Sequence, residues 1–205
     1  SSGNVLVTGR FGTFKGLPRE GIALLNPNRT ISNDFQTTVK RLGQVNQAVH
    51  LASGKVLIGG DFTQVNGNRI INLARLNSDG SLDNSFQPTA VPSDKEVRTI
   101  QPLSNGKIMV GTSASSLDPN VRPPIFRLNN DGSLDNTFQI SNQINILGNI
   151  KGIVPLLDGR IVAYGAFSLL TENTLFQQIA LFNTNGSFDP LLSSAFQGGT
   201  INDVY

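Results

Sequence analysis

The sequence predicts an all-β fold built by repetition, and three observations carry the prediction. A short turn followed by an apolar triplet recurs four times, as Gly3-Asn4-Val5-Leu6-Val7, Gly54-Lys55-Val56-Leu57-Ile58, Gly106-Lys107-Ile108-Met109-Val110 and Gly159-Arg160-Ile161-Val162-Ala163. The four glycines fall 51, 52 and 53 residues apart, so the copies account for the whole chain. Between the turns the segments are four to eight residues long, β-branched or aromatic, and bounded by Gly, Asn, Asp and Ser, the pattern of short strands rather than helices.

The first element of each copy is a hairpin. Val97 to Leu103 runs into Ser104-Asn105-Gly106 and returns through Ile108-Met109-Val110, and Asn-Gly is expected to supply the positive φ angles of a tight turn. Asp158-Gly159 occupies the same place one copy later, and the strand entering the turn spans Val45 to Leu51, Val97 to Leu103, Ile150 to Leu156 and Ile201 to Tyr205. The apolar triplet that leaves it is continuous rather than alternating, as in a strand covered on both faces, which places it in the middle of its sheet.

The second element opens on Ala23-Leu24-Leu25-Asn26, Ala74-Arg75-Leu76-Asn77, Phe126-Arg127-Leu128-Asn129 and Ala180-Leu181-Phe182-Asn183. Each passes through a polar turn to a Phe-Gln pair, at Phe35-Gln36, Phe86-Gln87, Phe138-Gln139 and Phe196-Gln197. The thirteen residues from Arg75, RLNSDGSLDNSFQ, return almost unchanged from Arg127 as RLNNDGSLDNTFQ. Gly80 and Gly132 sit where a side chain costs conformational energy, and Leu82 to Phe86 is expected to leave the corner as the fourth strand.

Two hairpins per copy give four strands. Four-stranded units of about 50 residues in tandem fit the blades of a β-propeller better than the shorter coils of a β-solenoid. The predicted fold is therefore a β-propeller of roughly 52-residue blades, with repeats at 1–51, 52–103, 104–156 and 157–205.

At these residues the chain resembles the bacterial delta-60 repeats, whose blades carry a pattern like DGKILVGGDFT followed by RLNADGSLDTSF. The resemblance rests on SGKVLIGGDFTQVNG at Ser53 to Gly67 and on the motifs beginning at Arg75 and Arg127. It implies a propeller in a large bacterial surface or secreted protein and no particular reaction. The other copies depart: Gly59-Gly60-Asp61-Phe62 becomes Thr8-Gly9-Arg10-Phe11, Gly111-Thr112-Ser113-Ala114 and Tyr164-Gly165-Ala166-Phe167, and Asp-Gly-Ser becomes Asn28-Arg29-Thr30. Such departures argue against a ligand site repeated in every blade.

The chain begins SSGN, and joining its ends gives a turn two residues shorter than that at Gly106. A segment of a larger propeller is the expectation, its open sides completed by further blades of the same parent chain.

Composition removes several chemistries. There is no cysteine, and His50 is the single histidine, in the column where other copies place Pro102 and Pro155. That leaves no triad or transition-metal set. Sixteen Lys and Arg against fourteen Asp and Glu are scattered singly, so nucleic acid is not expected as a partner. Apolar runs fall far short of the ~20 residues of a membrane span, and Gly59-Gly60 and Gly198-Gly199 lack the Lys-Ser/Thr of a phosphate loop.

The acidic residues Asp79, Asp83, Asp131 and Asp135 recur with Asn77 in a pattern open to calcium, but Gly80 falls at the wrong position for an EF-type loop. Turn formation by Asn and Asp is the leading reading. The Phe-Gln pairs read as core aromatics with the Gln on a backbone edge, rather than as sugar platforms. The segments differing most between copies are Thr63 to Asn72, Ser113 to Pro124 and Ser168 to Gln178, where a binding site is expected if one exists.

The functional expectation is a non-catalytic scaffold or adhesive recognition module at a bacterial surface, without cofactor, meeting a protein or glycan. The competing expectation is a glycan hydrolase or lyase with carboxylates brought together across blades. The absence of Trp and the presence of two Tyr, Tyr164 and Tyr205, weigh against exposed aromatic platforms. A calcium-stabilised adhesive array is the third.

Overall fold

The computed structural model describes residues 3–40, 44–114, 122–141, 143–171 and 174–190. The chain divides into two compact units, Ser1–Val97 and Arg98–Tyr205, and the described residues are almost entirely strand and turn.

In the first unit, β1 (Val5–Thr8) pairs antiparallel with β4 (Ile22–Leu25), and between them β2 (Thr13–Phe14) and β3 (Leu17–Pro18) form a miniature hairpin. β5 (Val39–Lys40) follows, then β6 (Gln44–His50) and β7 (Val56–Asp61). The hairpin of β8 (Gln64–Val65) and β9 (Asn68–Arg69) precedes β10 (Leu73–Leu76). The main sheet runs β10-β7-β6, so the apolar triplet of β7 is the central strand, and Val56, Leu57 and Ile58 are buried. This sheet straddles residue 51: its first strand lies in one sequence repeat and its other two in the next.

β11 (Val97–Pro102), β12 (Ile108–Ala114) and β13 (Ile125–Leu128) repeat that order. They are followed by β14 (Asn145–Pro155), β15 (Ile161–Leu170), β16 (Leu175–Phe182) and β17 (Phe188–Asp189). β14 to β16 are longer than their counterparts and carry register shifts at Ile150/Gly152 and Tyr164/Ser168. Each unit has its own core. Ile22, Phe35, Val56, Ile58, Phe62 and Leu76 pack in the first, and Met109, Phe138, Ile150, Ile161, Phe167 and Phe182 in the second.

Two details differ from the sequence expectation. The hairpin turns hold one positive φ, at Gly54, Gly106 and Gly159, because the loop is three residues long. Leu103 N–H donates to Lys107 O at 2.8 Å and Gly106 N–H to Leu103 O at 3.0 Å, the arrangement that needs a left-handed residue only at its end. Asn105 instead lends its side-chain oxygen to Lys107 N–H at 3.1 Å.

The fourth strand shrinks to isolated bridges, Leu25↔Ile31, Leu76↔Leu82 and Leu128↔Leu134, and to the two residues of β17 beside β16. The reason is local. Phe86 N–H donates to Asp83 O and Ser85 N–H to the Asp83 carboxylate, both at 3.1 Å, so a second turn pulls the chain out of the ladder. The Phe196-Gln197 pair and the Ile201 to Tyr205 column lie outside the described residues.

Candidate functional site

The corner after each main sheet has one backbone design. Asn77 N–H donates to Ser81 O and Gly80 N–H to Asn77 O, and the same pair of bonds recurs at Asn26/Thr30, Asn129/Ser133 and Asn183/Ser187. Asp79 tightens the turn by accepting from the Ser81 N–H at 2.8 Å and hydroxyl at 2.7 Å. These donors hold its carboxyl below the usual range. Asn77 directs its amide at Ser81 Oγ, 2.9 Å away.

Below the corner lies the most polar buried cluster. One oxygen of Asp83 receives Lys55 Nζ at 2.8 Å and Arg75 Nε at 2.6 Å, while the other receives the Ser85 hydroxyl at 2.7 Å. The next copy repeats it with Lys107 at 2.7 Å, Arg127 at 2.5 Å and Thr137 at 2.7 Å around Asp135. Arg75 stacks 4.8 Å over the Phe86 ring and Arg127 5.0 Å over Phe138, so each guanidinium is held between a carboxylate and an aromatic face. Burial opposes ionisation of Asp83 and Asp135, yet the Lys, hydroxyl and Arg donors outweigh it and hold both carboxyls far below the ordinary range.

Carboxylates so engaged have the opposite of the raised pKa that a glycosidase's acid needs, and both oxygens of each already accept from protein donors. Asn77, Asp79 and Asp83 have separate partners, and among the described residues no three His, Cys, Asp or Glu gather as a metal set. The sequence reading passed over the Lys-Arg-Asp cluster. Its signal was present, because Lys55/Lys107, Arg75/Arg127, Asp83/Asp135 and Ser85/Thr137 each recur 52 residues apart. His50 is exposed at the end of β6.

The corner also docks. Gln36 N–H donates to Asp79 O at 3.0 Å and Gln139 N–H to Asn185 O at 2.8 Å, joining the first copy to the corner of the second and the third to the corner of the fourth. A Cβ on Gly80 would stand 2.7 Å from Gln36 O, and one on Gly186 2.6 Å from Gln139 N. Glycine is thus required for its positive φ and for the close approach together. Phe35 and Phe138 are buried core, as expected, and Gln36 and Gln139 each donate a side-chain amide to a carbonyl three residues back, at Asn33 and Asn136.

Of the variable segments, Thr63 to Asn72 is the β8–β9 hairpin, pinned by β5 to the preceding copy. Ile70 and Ile71 from it, with Arg69, Phe86, Pro88 and Val91, line an open groove of about 440 Å³. Ser168 to Thr171 and Thr174 to Gln178 lie at the far end of the long β15–β16 hairpin, with Leu170 and Leu175 exposed, and residues 172–173 lie outside the described set. A smaller hollow of about 250 Å³ lies along that hairpin beside Phe167, Ser168 and Gln177. Residues 115–121 of the third segment lie outside the described set.

Tandem strand-turn-strand units joined corner to Phe-Gln define a repeat protein of the β-propeller class. The family model described as a domain of unknown function (DUF5122) beta-propeller matches residues 51–86, 103–138 and 156–191, a little over half of the chain, and the chain belongs to that family. No curated protein sequence matches it. Among solved structures, the extracellular domain of a protein described as a hybrid two-component system of B. thetaiotaomicron is 18% identical, with a TM-score of 0.50 over 91% of this chain and 21% of that one. A Bacteroides caccae protein of unknown function is 12% identical, with a TM-score of 0.40 over 91% and 94% of the two chains. The chain thus spans about a fifth of the first neighbour's length, and that likeness concerns the fold alone.

Proposed function

We propose that the chain is a non-catalytic recognition or scaffold module of a large bacterial surface or secreted protein. Its four copies, 1–51, 52–103, 104–156 and 157–205, act as blades of delta-60 type within one propeller, alongside further blades of the parent. One observation carries the reading. Of the acids that the repeat supplies, Asp83 and Asp135 are tied to two cations each beneath the corner and Asp79 and Asp131 accept from Ser81 and Ser133 within the turn, leaving the surface grooves to bind rather than to react. An extracellular place is supported by the neighbour of that description. No helix among the described residues is long and apolar enough to cross a membrane.

A protein or glycan is the expected ligand, and nucleic acid is not. The test is to incubate the purified chain with a panel of bacterial and host polysaccharides and peptides, following both retention and product release. Retention without product is expected, and weakened by Ile71→Asp in the groove. Product release abolished by Asp83→Asn or Asp135→Asn in a folded chain would establish the enzyme reading instead.

A further inference from the structure

The first and second copies build the same small hairpin, and four consecutive residues on its outgoing strand decide what that strand can do. Pro18, Arg19, Glu20 and Gly21 of the first copy stand where Arg69, Ile70, Ile71 and Asn72 stand in the second. Arg19 donates to Pro18 O at 2.8 Å and to Ser32 O at 3.4 Å, laying its own side chain along the place where the second copy keeps the groove of Ile70, Ile71, Phe86, Pro88 and Val91. Asn72, with φ 62, accepts from Phe62 N–H at 3.2 Å and donates to Lys95 O at 2.8 Å. It thereby ties the foot of Ile71 to the segment that runs on from Val91, which Gly21 has no side chain to do. The groove is held open by the frame before any ligand arrives.

The strand edge beside the groove differs too. Among the described residues β9 is the outer strand of the sheet β5-β8-β9, and β3 the outer strand of the pair β2-β3. Ile70 N–H donates inward to Thr63 O at 3.2 Å, and its counterpart Arg19 N–H to Gly12 O at 3.1 Å. By the alternation of an antiparallel ladder the residue before each turns its backbone outward. In the first copy that residue is Pro18, which has no N–H to give and blunts the edge. In the second it is Arg69, which restores the donor and adds a cation, and both Asn68 and Arg69 are exposed. Packing of one copy on the next leaves this stretch open. The first copy has its successor in place, through Gln36 N–H on Asp79 O at 3.0 Å and β5 on β8, yet Leu17 and Pro18 remain exposed. On the other side, the preceding copy takes β8 and leaves β9.

We propose that β9 and the groove beside it receive an extended polypeptide segment of a partner protein by strand addition, an acidic side chain meeting Arg69 and the apolar side chains flanking it entering the groove. Backbone pairing at Arg69 supplies affinity, the groove selects apolar residues at alternate positions, and the guanidinium selects a carboxylate over a cation. The proposal rests on the recognition reading and names its partner.

The probe is the fluorescent peptide Thr-Val-Thr-Glu-Thr-Val-Thr, titrated by anisotropy onto the full chain, with its glutamate expected opposite Arg69 and a valine on either side facing the groove. N-methylation of the glutamate removes a strand hydrogen bond and should weaken binding about tenfold. Lysine in place of the glutamate should weaken it by a similar factor. Arg69→Pro imports the residue of the first copy and should abolish binding with the far-ultraviolet spectrum unchanged. Arg69→Gln keeps the backbone donor, and should lose affinity severalfold and erase the preference for glutamate over lysine. Equal binding of the parent and N-methylated peptides, or undiminished binding by Arg69→Pro, would overturn the proposal. Silence of every peptide would overturn it too, and polysaccharide retention that Ile71→Asp weakens would then leave the recognition reading standing without this partner. Product release from the polysaccharide panel would remove the recognition reading and the proposal with it.

Discussion

The second and first copies reach the same corner by different means. In the second, Asp83 N–H donates to Arg75 O at 2.9 Å and the side chains below form the ion cluster. In the first, Ser32 N–H donates to Leu24 O at 2.8 Å with identical topology, yet Leu24 and Ser32 replace Arg75 and Asp83, and Asn4 replaces Lys55. The fourth copy is intermediate: Arg160 reaches Asp189 at 3.4 Å, but Leu181 stands where the guanidinium would be. The backbone turn therefore does not need the charges. A buried ion pair against an apolar substitute is close to break-even, whereas half of one is costly.

That contrast is broken most severely by removing one partner. Asp83→Ser should cost about 3–5 kcal/mol by urea denaturation, because Arg75 stays buried without its carboxylate. Gly80→Ala comes next, at about 2–3 kcal/mol, combining a left-handed alanine with a Cβ pressed against the Gln36 backbone. The expected sign of failure is early loss of amide protection around Gln36, where the corner docks.

Acid sharpens the contrast further. Asp83 and Asp135 are depressed in the folded chain, so their contribution is present above the unfolded pKa of about 4 and lost as pH falls below it. Melting temperature should drop below about pH 4 in the original chain, and less steeply in one whose second copy lacks the pair. The smallest effect lies in the first copy. Arg29→Gly relieves a left-handed arginine and should gain roughly 0.5 kcal/mol after the added freedom of the unfolded chain is subtracted.

Much of this was legible in the sequence because turn chemistry is local. The Asn, Asp and Gly of the second and third corners act within five residues, and the apolar triplets of the last three copies announce their own burial. In the first copy, where β1 pairs only with β4 among the described residues, Val5 is exposed and Leu6 and Val7 are half-buried. The short fourth strand was less legible, since the SLDNSF pattern alternates like a strand while its Asp, Asn and Ser favour a turn, and the turn prevailed. The ion cluster was hidden for another reason: Lys55 and Asp83 meet only once antiparallel register sets β7 against β10.

The central claim, that the repeated carboxylates serve the frame, is tested most directly by measuring the stability of Asp83→Ser beside the double variant Arg75→Leu with Asp83→Ser, which imports the pair found at Leu24 and Ser32. The double variant should recover most of what the single one loses, finishing within about 1–2 kcal/mol of the original chain. A double variant as unstable as the sum of its parts would contradict the account.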